Sequence, residues 1–226
     1  DSVRTINDAS GFAEKLTYTS PRLLGDTVGV GVQFGASYAL DAKACGVDYC
    51  NGKSIDRVIS PDLEDVREFG LALDRTFDNG LSVEGTVTYA TASEKSGLNG
   101  LDDLSTLGAG LEMGYGQWTL GGSYLQSNNG LLDGDYKAYD AGVTWKPGAL
   151  GFTLGYGHAT DDNIGLTSDQ GVFGVSYDFK NFTLGTGVQY VDRRVNGLSP
   201  IAGGNFALAP LDQKATSLFV EGGFKF

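Results

Sequence analysis

His158 is the only histidine of this 226-residue chain, which makes it the first candidate for acid–base or nucleophilic chemistry. A hydrolytic triad would combine it with a nucleophile and an orienting acid, and Ser168 and Asp161 follow it closely in the sequence. However, no serine of the chain stands in a G-x-S-x-G elbow. His158 shares its two-residue period with Leu154 and Tyr156, so we interpret it as a structural side chain on an apolar face.

Motifs for metals and nucleotides are equally weak. The acidic and amide residues at 161–163, with Asp169 further on, have neither the spacing nor the closing Glu of a calcium loop, so a solvated loop is the better interpretation. The Gly-x-Gly pairs at 108–110 and 185–187 lie inside strand patterns and have no following helix, so they do not cradle phosphates. The sequence therefore predicts no cofactor, no resident metal and no enzymatic activity.

Charged and amide side chains recur instead on one phase of an alternating pattern, which predicts that they share one face of a sheet. The members of this set are Lys15, Gln33, Asp74, Glu84, Glu112, Asp140, Asp178, Glu221 and Lys225. Acids outnumber bases, and a row of carboxylates creates a field that favours cations. The alternative is that these groups are solvated and lie far from any narrow point.

The elements that carry this set are strands with one apolar and one polar face. The last of them is the clearest, because Leu218, Val220 and Phe224 share one phase, whereas Ser217 and Glu221 share the other. We count about eleven such strands, at 12–20, 26–40, 65–77, 81–92, 103–115, 118–127, 135–145, 151–160, 169–179, 182–193 and 214–226.

The connections between these strands alternate between short and long. Asn79-Gly80 is a strong hairpin signal because both residues tolerate positive φ. The long polar loops fall at 41–64, 93–102, 128–134, 161–168 and 194–213. Such alternation is typical of an antiparallel up-and-down β-barrel with one rim of tight turns and one rim of long loops.

The amino-acid composition is typical of a β-sheet that separates lipid from water. The formal net charge of −12 argues against a nucleic-acid partner. No stretch approaches the ~18 consecutive apolar residues of a transmembrane helix, but barrel strands show lipid only every second residue. The 35 glycines fall mostly on the polar phase, where they would keep a water-filled lumen wide. A minor alternative is that they accommodate strand bending.

Aromatic residues are sorted towards the two ends of the strands. Tyr115, Trp118 and Trp145 lie beside short turns, while Tyr89 and Tyr190 lie beside long loops. Two such belts flank a bilayer, whereas a soluble sandwich would collect its large aromatics in the middle of the strands.

Two cysteines, Cys45 and Cys50, stand close together in a polar, glycine-containing segment. Without further Cys or a nearby His they make a poor zinc site. A short disulfide inside a loop fits better and would indicate an oxidising compartment, with two free thiols as the alternative.

Together these features resemble the general Gram-negative porins of alphaproteobacterial type. The resemblance rests on the stretch at 11–23 leading into the alternating residues 28–32, and on a closing amphipathic strand that ends in Phe226. It implies a trimeric diffusion porin of the bacterial outer membrane, in contact with its lipids and lipopolysaccharide. It also implies that Phe226 is the signal read by the membrane assembly machinery.

By the same resemblance, residue 12 falls at the sixth strand of a sixteen-stranded barrel. An odd count of eleven also departs from the even number of closed single-chain barrels. We therefore expect residues 1–226 to form a single transmembrane barrel domain that lacks its N-terminal strands, a smaller closed barrel of ten or twelve strands being the alternative. Asp1, Arg4 and Asp8 would then belong to the end of an inward-folded constriction loop.

The predicted function is passive diffusion of small hydrophilic solutes and ions through a water-filled channel, with mild cation selectivity. Two alternatives remain at this point. A barrel enzyme of lipase or protease type would need a nucleophile and an acid beside His158. A non-conducting structural or adhesive barrel would hold bulky, mutually paired charges inside.

Overall fold

The computed structural model describes residues 3–7, 9–10, 13–25, 29–42, 61–132, 134–162, 165–195 and 211–224, together with the backbone alone at 45–46, 49–50, 198–199 and 206–207. These residues form fifteen strands: β1 Lys15–Thr19, β2 Gly31–Asp41, β3 Cys45–Gly46, β4 Tyr49–Cys50, β5 Leu63–Thr76, β6 Leu81–Glu94, β7 Leu104–Tyr115, β8 Trp118–Ser127, β9 Tyr136–Trp145, β10 Leu150–Asp161, β11 Leu166–Asp178, β12 Phe182–Val195, β13 Leu198–Ser199, β14 Phe206–Ala207 and β15 Leu211–Phe224. Within the described ranges, no helix is long and apolar enough to cross a membrane.

Eleven of the strands form one continuous antiparallel sheet in the order β1-β2-β5-β6-β7-β8-β9-β10-β11-β12-β15. Each strand pairs with its neighbour in the chain, as the alternating pattern predicted. The four two-residue strands form two separate small hairpins, β3-β4 and β13-β14, within the long connections. The all-β up-and-down architecture and the count of eleven long strands are therefore confirmed.

The tight turns fix the register of the hairpins. Gly80 adopts a φ of +84°, and Asn79 Oδ1 accepts a hydrogen bond of 3.1 Å from the amide of Leu81. The amide of Phe77 closes the same turn on the carbonyl of Leu81 at 2.8 Å. Glycine is favoured at this positive φ because a Cβ would be strained there, and register follows from the turn.

The sheet has two chemically different faces, which follow from the two-residue period of strands. We call the face contacted by residues 3–7 and 9–10 the inner face and the opposite one the outer face. The outer face carries the apolar phase of the sequence, and its large side chains are exposed, as in Leu154 (59%), Leu218 (84%) and Val220 (75%). An exposed apolar surface of this extent fits hydrocarbon rather than water.

Aromatic side chains border this apolar surface at both ends. Near the short turns, the ring of Trp145 stacks on Trp118 at 5.7 Å and on Phe152 at 5.6 Å, measured between centroids. Tyr38, Tyr89, Tyr124, Tyr139 and Tyr190 border it near the long loops. This arrangement is the aromatic girdle of a transmembrane barrel.

The strands are tilted relative to these aromatic borders. Stepping from Tyr139 of β9 through directly paired residues leads to Phe34 of β2, four residues short of Tyr38. At ~3.4 Å per residue and ~4.8 Å per strand, five steps with this offset correspond to a tilt of about 30°. Tilted strands are a property of sheets that curve into barrels.

Candidate functional site

A segment crosses the inner face at an angle to the strands. This crossing segment, residues 3–7 and 9–10, contacts the strands in order from β10 back to β5. Its contacts are Val3 with Gly157, Arg4 with Tyr136, Thr5 with Asp140, Asn7 with Thr88 and Ser10 with Glu68.

One end of the crossing segment is fastened to the carboxylate of Glu68 on β5. Ser10 donates to it twice, from its amide at 2.9 Å and from its hydroxyl at 2.6 Å. Ser37 of β2 donates a third hydrogen bond at 2.6 Å, and Lys15 Nζ lies 3.7 Å from Glu68 Oε2. The charge of Glu68 is thus fully engaged in holding the segment against the wall.

The other end is fastened at β9. Asp140 Oδ2 accepts hydrogen bonds of 2.5 Å from the hydroxyls of Thr5 and of Ser123 on β8. The Tyr136 hydroxyl accepts from the amide of Arg4 at 2.9 Å and donates to its carbonyl at 3.1 Å. The backbone of the segment is therefore held as well as its side chains.

The crossing segment divides the inner face into two zones. On the long-loop side lies what we call the packed zone, whose small and apolar inner side chains are buried. They are Ala39, Val66, Ala90, Ala92, Leu104, Thr106, Leu125, Ser127, Ala138, Ala159, Leu166 and Ser168. Ala9 of the segment and Ala13 pack against the part of this zone formed by Ala39, Val66, Ala92 and Leu104, so this part of the zone is covered.

On the short-turn side lies the open zone, which is polar and faces an open concavity of about 470 Å³. Its inner side chains belong to five adjacent strands. They include Glu84, Thr86, Gly110, Glu112, Thr119, Gly121, Ser123, Asp140, Gly142, Thr144 and Thr153. Hydroxyls, carboxylates and glycines make this a surface for water and dissolved ions.

Three acids form a row in the open zone. Asp74, Glu84 and Glu112 stand directly opposite one another on β5, β6 and β7. Like charges in such positions repel, and Arg22 relieves part of the repulsion by binding Asp74 through Nε at 2.8 Å and through Nη2. In the described part of the chain, Glu84 and Glu112 form no ion pair, so their charge acts on the concavity.

The structure places the described members of the predicted set on the inner face. Lys15 and Asp140 contact the crossing segment, and Glu84 and Glu112 face the open zone. The other members contact neighbouring residues of the sheet and its turns. Gln33 donates to the carbonyl of Ser20 at 3.0 Å, and Glu221 lies beside Gly185. Asp74 binds Arg22, and Asp178 pairs with Lys146 at 2.5 Å. That these residues line a pore stays a prediction.

Several predicted features fall outside the described residues. Lys225, Phe226, Asp1 and Asp8 are among them, as are the side chains of Cys45 and Cys50. The backbones of the two cysteines stand directly opposite each other in the β3-β4 hairpin. The disulfide and the assembly signal stay predictions, whereas Arg4 does lie on the crossing segment.

Two inner-face residues, Glu68 and Phe219, were not predicted from the sequence. Glu68 has the same phase as Asp74, so the alternation alone could have included it. Phe219 of β15 interrupts the alternation between Leu218 and Val220, and its ring occupies the space over Gly187 on β12, where a Cβ would collide with it. The signal that could have identified Phe219 is an apolar residue on the polar phase of its strand, with a glycine opposite it on the neighbouring strand.

The candidate triad does not assemble. His158 lies on the outer face, where its Nδ1 is 2.9 Å from Asp169 Oδ1 and its ring is 5.3 Å from that of Tyr139. Ser168 and Asp161 lie on the inner face, because they pair with Ala159 and Tyr136. The sheet therefore separates the three groups, and the structural interpretation of His158 is supported.

An apolar outer face, a polar inner face and a segment held across the inner face are features of a sheet from a transmembrane β-barrel. The Gram-negative porin family model matches residues 2–217, so the chain belongs to that family. This membership places the chain in the bacterial outer membrane.

Solved structures agree with this fold. An anion-selective porin from Comamonas acidovorans matches with a TM-score of 0.57 and 17% identity over 95% of this chain and 61% of that one. OmpT, an outer membrane protein of Vibrio cholerae, matches with a TM-score of 0.50 and 15% identity over 97% of this chain and 69% of that one. Among curated protein sequences none matches. The chain thus spans 61% of the length of the Comamonas porin.

Proposed function

We propose that this chain forms the larger part of an outer-membrane channel through which small hydrophilic solutes and ions diffuse passively. The observation that carries the proposal is the crossing segment, which is fastened at Glu68 and Asp140 and leaves a polar open zone beside it. A sheet that is apolar outside and polar inside supports water within the barrel. Family membership points to a channel rather than to an enzyme.

We infer that further strands complete the barrel. Within the described residues, β1 and β15 each pair with one strand only, and both edges lie next to exposed apolar side chains such as Leu16 (79%) and Leu218 (84%). An unpaired strand edge is costly in hydrocarbon because its backbone groups find no water. The experiments below therefore use the full-length protein.

The decisive experiment is conductance across a planar bilayer. The purified full-length protein should produce stable, ohmic current steps, and proteoliposomes that contain it should swell in small neutral sugars. Correctly folded protein that produces neither steps nor swelling would overturn the proposal and favour a filled, non-conducting barrel. A heat-unfolded sample serves as the control.

We also propose mild cation preference. On the short-turn side of the inner face, Asp74 and Asp178 are matched by Arg22 and Lys146, whereas Glu84 and Glu112 form no ion pair among the described residues. Unmatched carboxylates raise the local concentration of cations. The Comamonas porin is named as anion-selective, but 17% identity supports the fold alone and does not transfer selectivity.

A reversal-potential measurement in a potassium chloride gradient tests this preference. The wild-type channel should favour potassium, and the double change Glu84→Gln with Glu112→Gln should lower the permeability ratio towards one. A wild-type channel that prefers chloride, or a ratio unaffected by the double change, would disprove the assignment.

The assembly partners proposed are two further copies of the chain and the outer-membrane lipids with lipopolysaccharide. The support is the sequence resemblance to trimeric diffusion porins. Light scattering of the detergent-purified full-length protein should give three times the protomer mass, and a monomeric mass would contradict the trimer.

A further inference from the structure

Two inner-face glycines lie directly beneath the crossing segment. A Cβ placed at Gly157 of β10 would come within 3.1 Å of Val3 Cγ1 and 3.4 Å of Val3 Cβ. A Cβ at Gly108 of β7 would first meet Thr88 Oγ1 at 2.5 Å and would lie 3.7 Å from Asn7 Cβ. Contacts near 3.1 Å are tighter than ordinary van der Waals separation, so the segment rests against the bare backbone at Gly157.

Other inner glycines have different surroundings. At Gly121 of β8, a Cβ would lie 3.6 Å from the carbonyl of Leu111 and 3.9 Å from Glu112, both on neighbouring β7. Gly121 belongs to the open zone, so a side chain there would project into the concavity without touching the segment. The glycines at 121 and 157 share the phase of the alternating pattern but have different neighbours.

The position of the crossing segment decides how much of the interior stays open. Its polar anchors, at Glu68, Asp140 and Tyr136, tie it to β5 and β9, whereas Val3 lies beyond the last of them and rests on β10. The distance between Val3 and the backbone of β10 is limited by any side chain that lies between them, and Gly157 has none.

On the basis of the proposed channel function, we propose that Gly157 is a size-determining residue of this chain. By allowing Val3 to lie against the backbone of β10, it keeps the crossing segment close to the wall and the lumen wide. A side chain at 157 pushes the segment towards the lumen axis and lowers the largest size of neutral hydrophilic solute that passes.

The test compares Gly157→Val with Gly121→Val in the full-length protein, because both add the same volume to the inner face. We measure single-channel conductance and the swelling of proteoliposomes in neutral sugars of increasing size. Gly157→Val should lower conductance by roughly a third to a half and exclude the larger sugars, since a constriction controls flow more than the wall beside it. Gly121→Val adds its side chain to the open zone, away from the crossing segment, and should lower both values clearly less than Gly157→Val does.

A second-site change separates steric displacement from a folding defect. Gly157→Ala should reduce conductance slightly, and the pair Gly157→Ala with Val3→Ala should return it to the value of Val3→Ala alone, because the atom in closest contact is gone. Heat-modifiable migration on a gel shows whether Gly157→Val folds. If it does not fold, the Gly157→Ala and Val3→Ala pair still tests whether a side chain at 157 displaces the segment.

Equal conductance of the two Val variants, or no recovery in the Val3 pair, would overturn the role of Gly157 while leaving the channel intact. A wild-type protein that does not conduct would instead overturn the proposed function itself. The two failures are therefore distinguishable.

Discussion

The packed zone and the open zone lie on the same strands and the same face, yet they have opposite properties. Ala138 of β9 is fully buried, whereas Thr144, six residues further along the same strand and on the same phase, faces the concavity. The difference arises from the crossing segment, which covers one zone and leaves the other wet. The polar phase of a barrel strand therefore does not decide whether a side chain is buried or solvated, because that depends on what packs against the inner face.

The largest contrast should come from placing a charge in each zone. Ala138→Asp buries a carboxylate without a partner and should cost several kcal/mol, so that little folded protein is recovered. Thr144→Asp adds the same group to the open zone and should fold normally. The measurement is the heat-modifiable folded fraction after refolding into detergent, and equal recovery of both variants would show that the packed zone is solvated.

Removing the Glu68 anchor should have the next largest effect. Glu68→Ala leaves the Ser10 amide and Lys15 without their partner, which should cost about 1–3 kcal/mol and loosen one end of the crossing segment. We expect noisier single-channel currents and a lower midpoint of thermal unfolding. Glu112→Ala is the matched control, because it removes a carboxylate from the open zone, and similar noise in both variants would contradict the anchoring role.

A smaller effect should follow from exposing the charge of Asp74. Arg22→Gln leaves Asp74 unneutralised in the row with Glu84 and Glu112, so the cation permeability ratio should rise, by less than about twofold because exposed charges are screened by salt. Reversal potentials at two salt concentrations measure this. A lower ratio would mean that the acid row does not act on permeating ions.

The smallest effect should come from one hydrogen bond at the second anchor. Thr5→Val keeps the shape of the side chain but removes its bond to Asp140, at a cost of about 0.5–1.5 kcal/mol. Conductance should stay close to the wild-type value while current noise rises slightly. Thr119→Val in the open zone is the control, and indistinguishable noise in the two variants would assign the anchoring to Glu68 and Tyr136 alone.

The long strands and their faces could be predicted because their signals are local. The alternation around Val83 and Glu84 decides which side chain faces lipid, and Asn79-Gly80 decides where the chain reverses. The exclusion of a triad at His158 also rests on local signals, since His158 shares the phase of Leu154 and Tyr156 and no serine stands in a G-x-S-x-G elbow. None of these inferences needs a contact between distant parts of the chain.

The candidate site was predicted only in part, because its geometry depends on distant contacts. Ser10 meets Glu68 across 58 residues of sequence, and Thr5 meets Asp140 across 135. No periodicity reports such pairs, so Glu68 was missed as an anchor. The inner glycines were interpreted together as keeping a lumen wide, although Gly157 lies against Val3 and Gly121 does not.

The sequence by itself determined the strands, their order, the two faces and the turns, because a two-residue period and a positive φ are properties of neighbouring residues. Only the tertiary structure decided which inner positions are buried, which acids remain unmatched and which glycines support the crossing segment. Those outcomes depend on where an extended segment lies across six strands, and that position results from packing and hydrogen bonds between residues far apart in the chain.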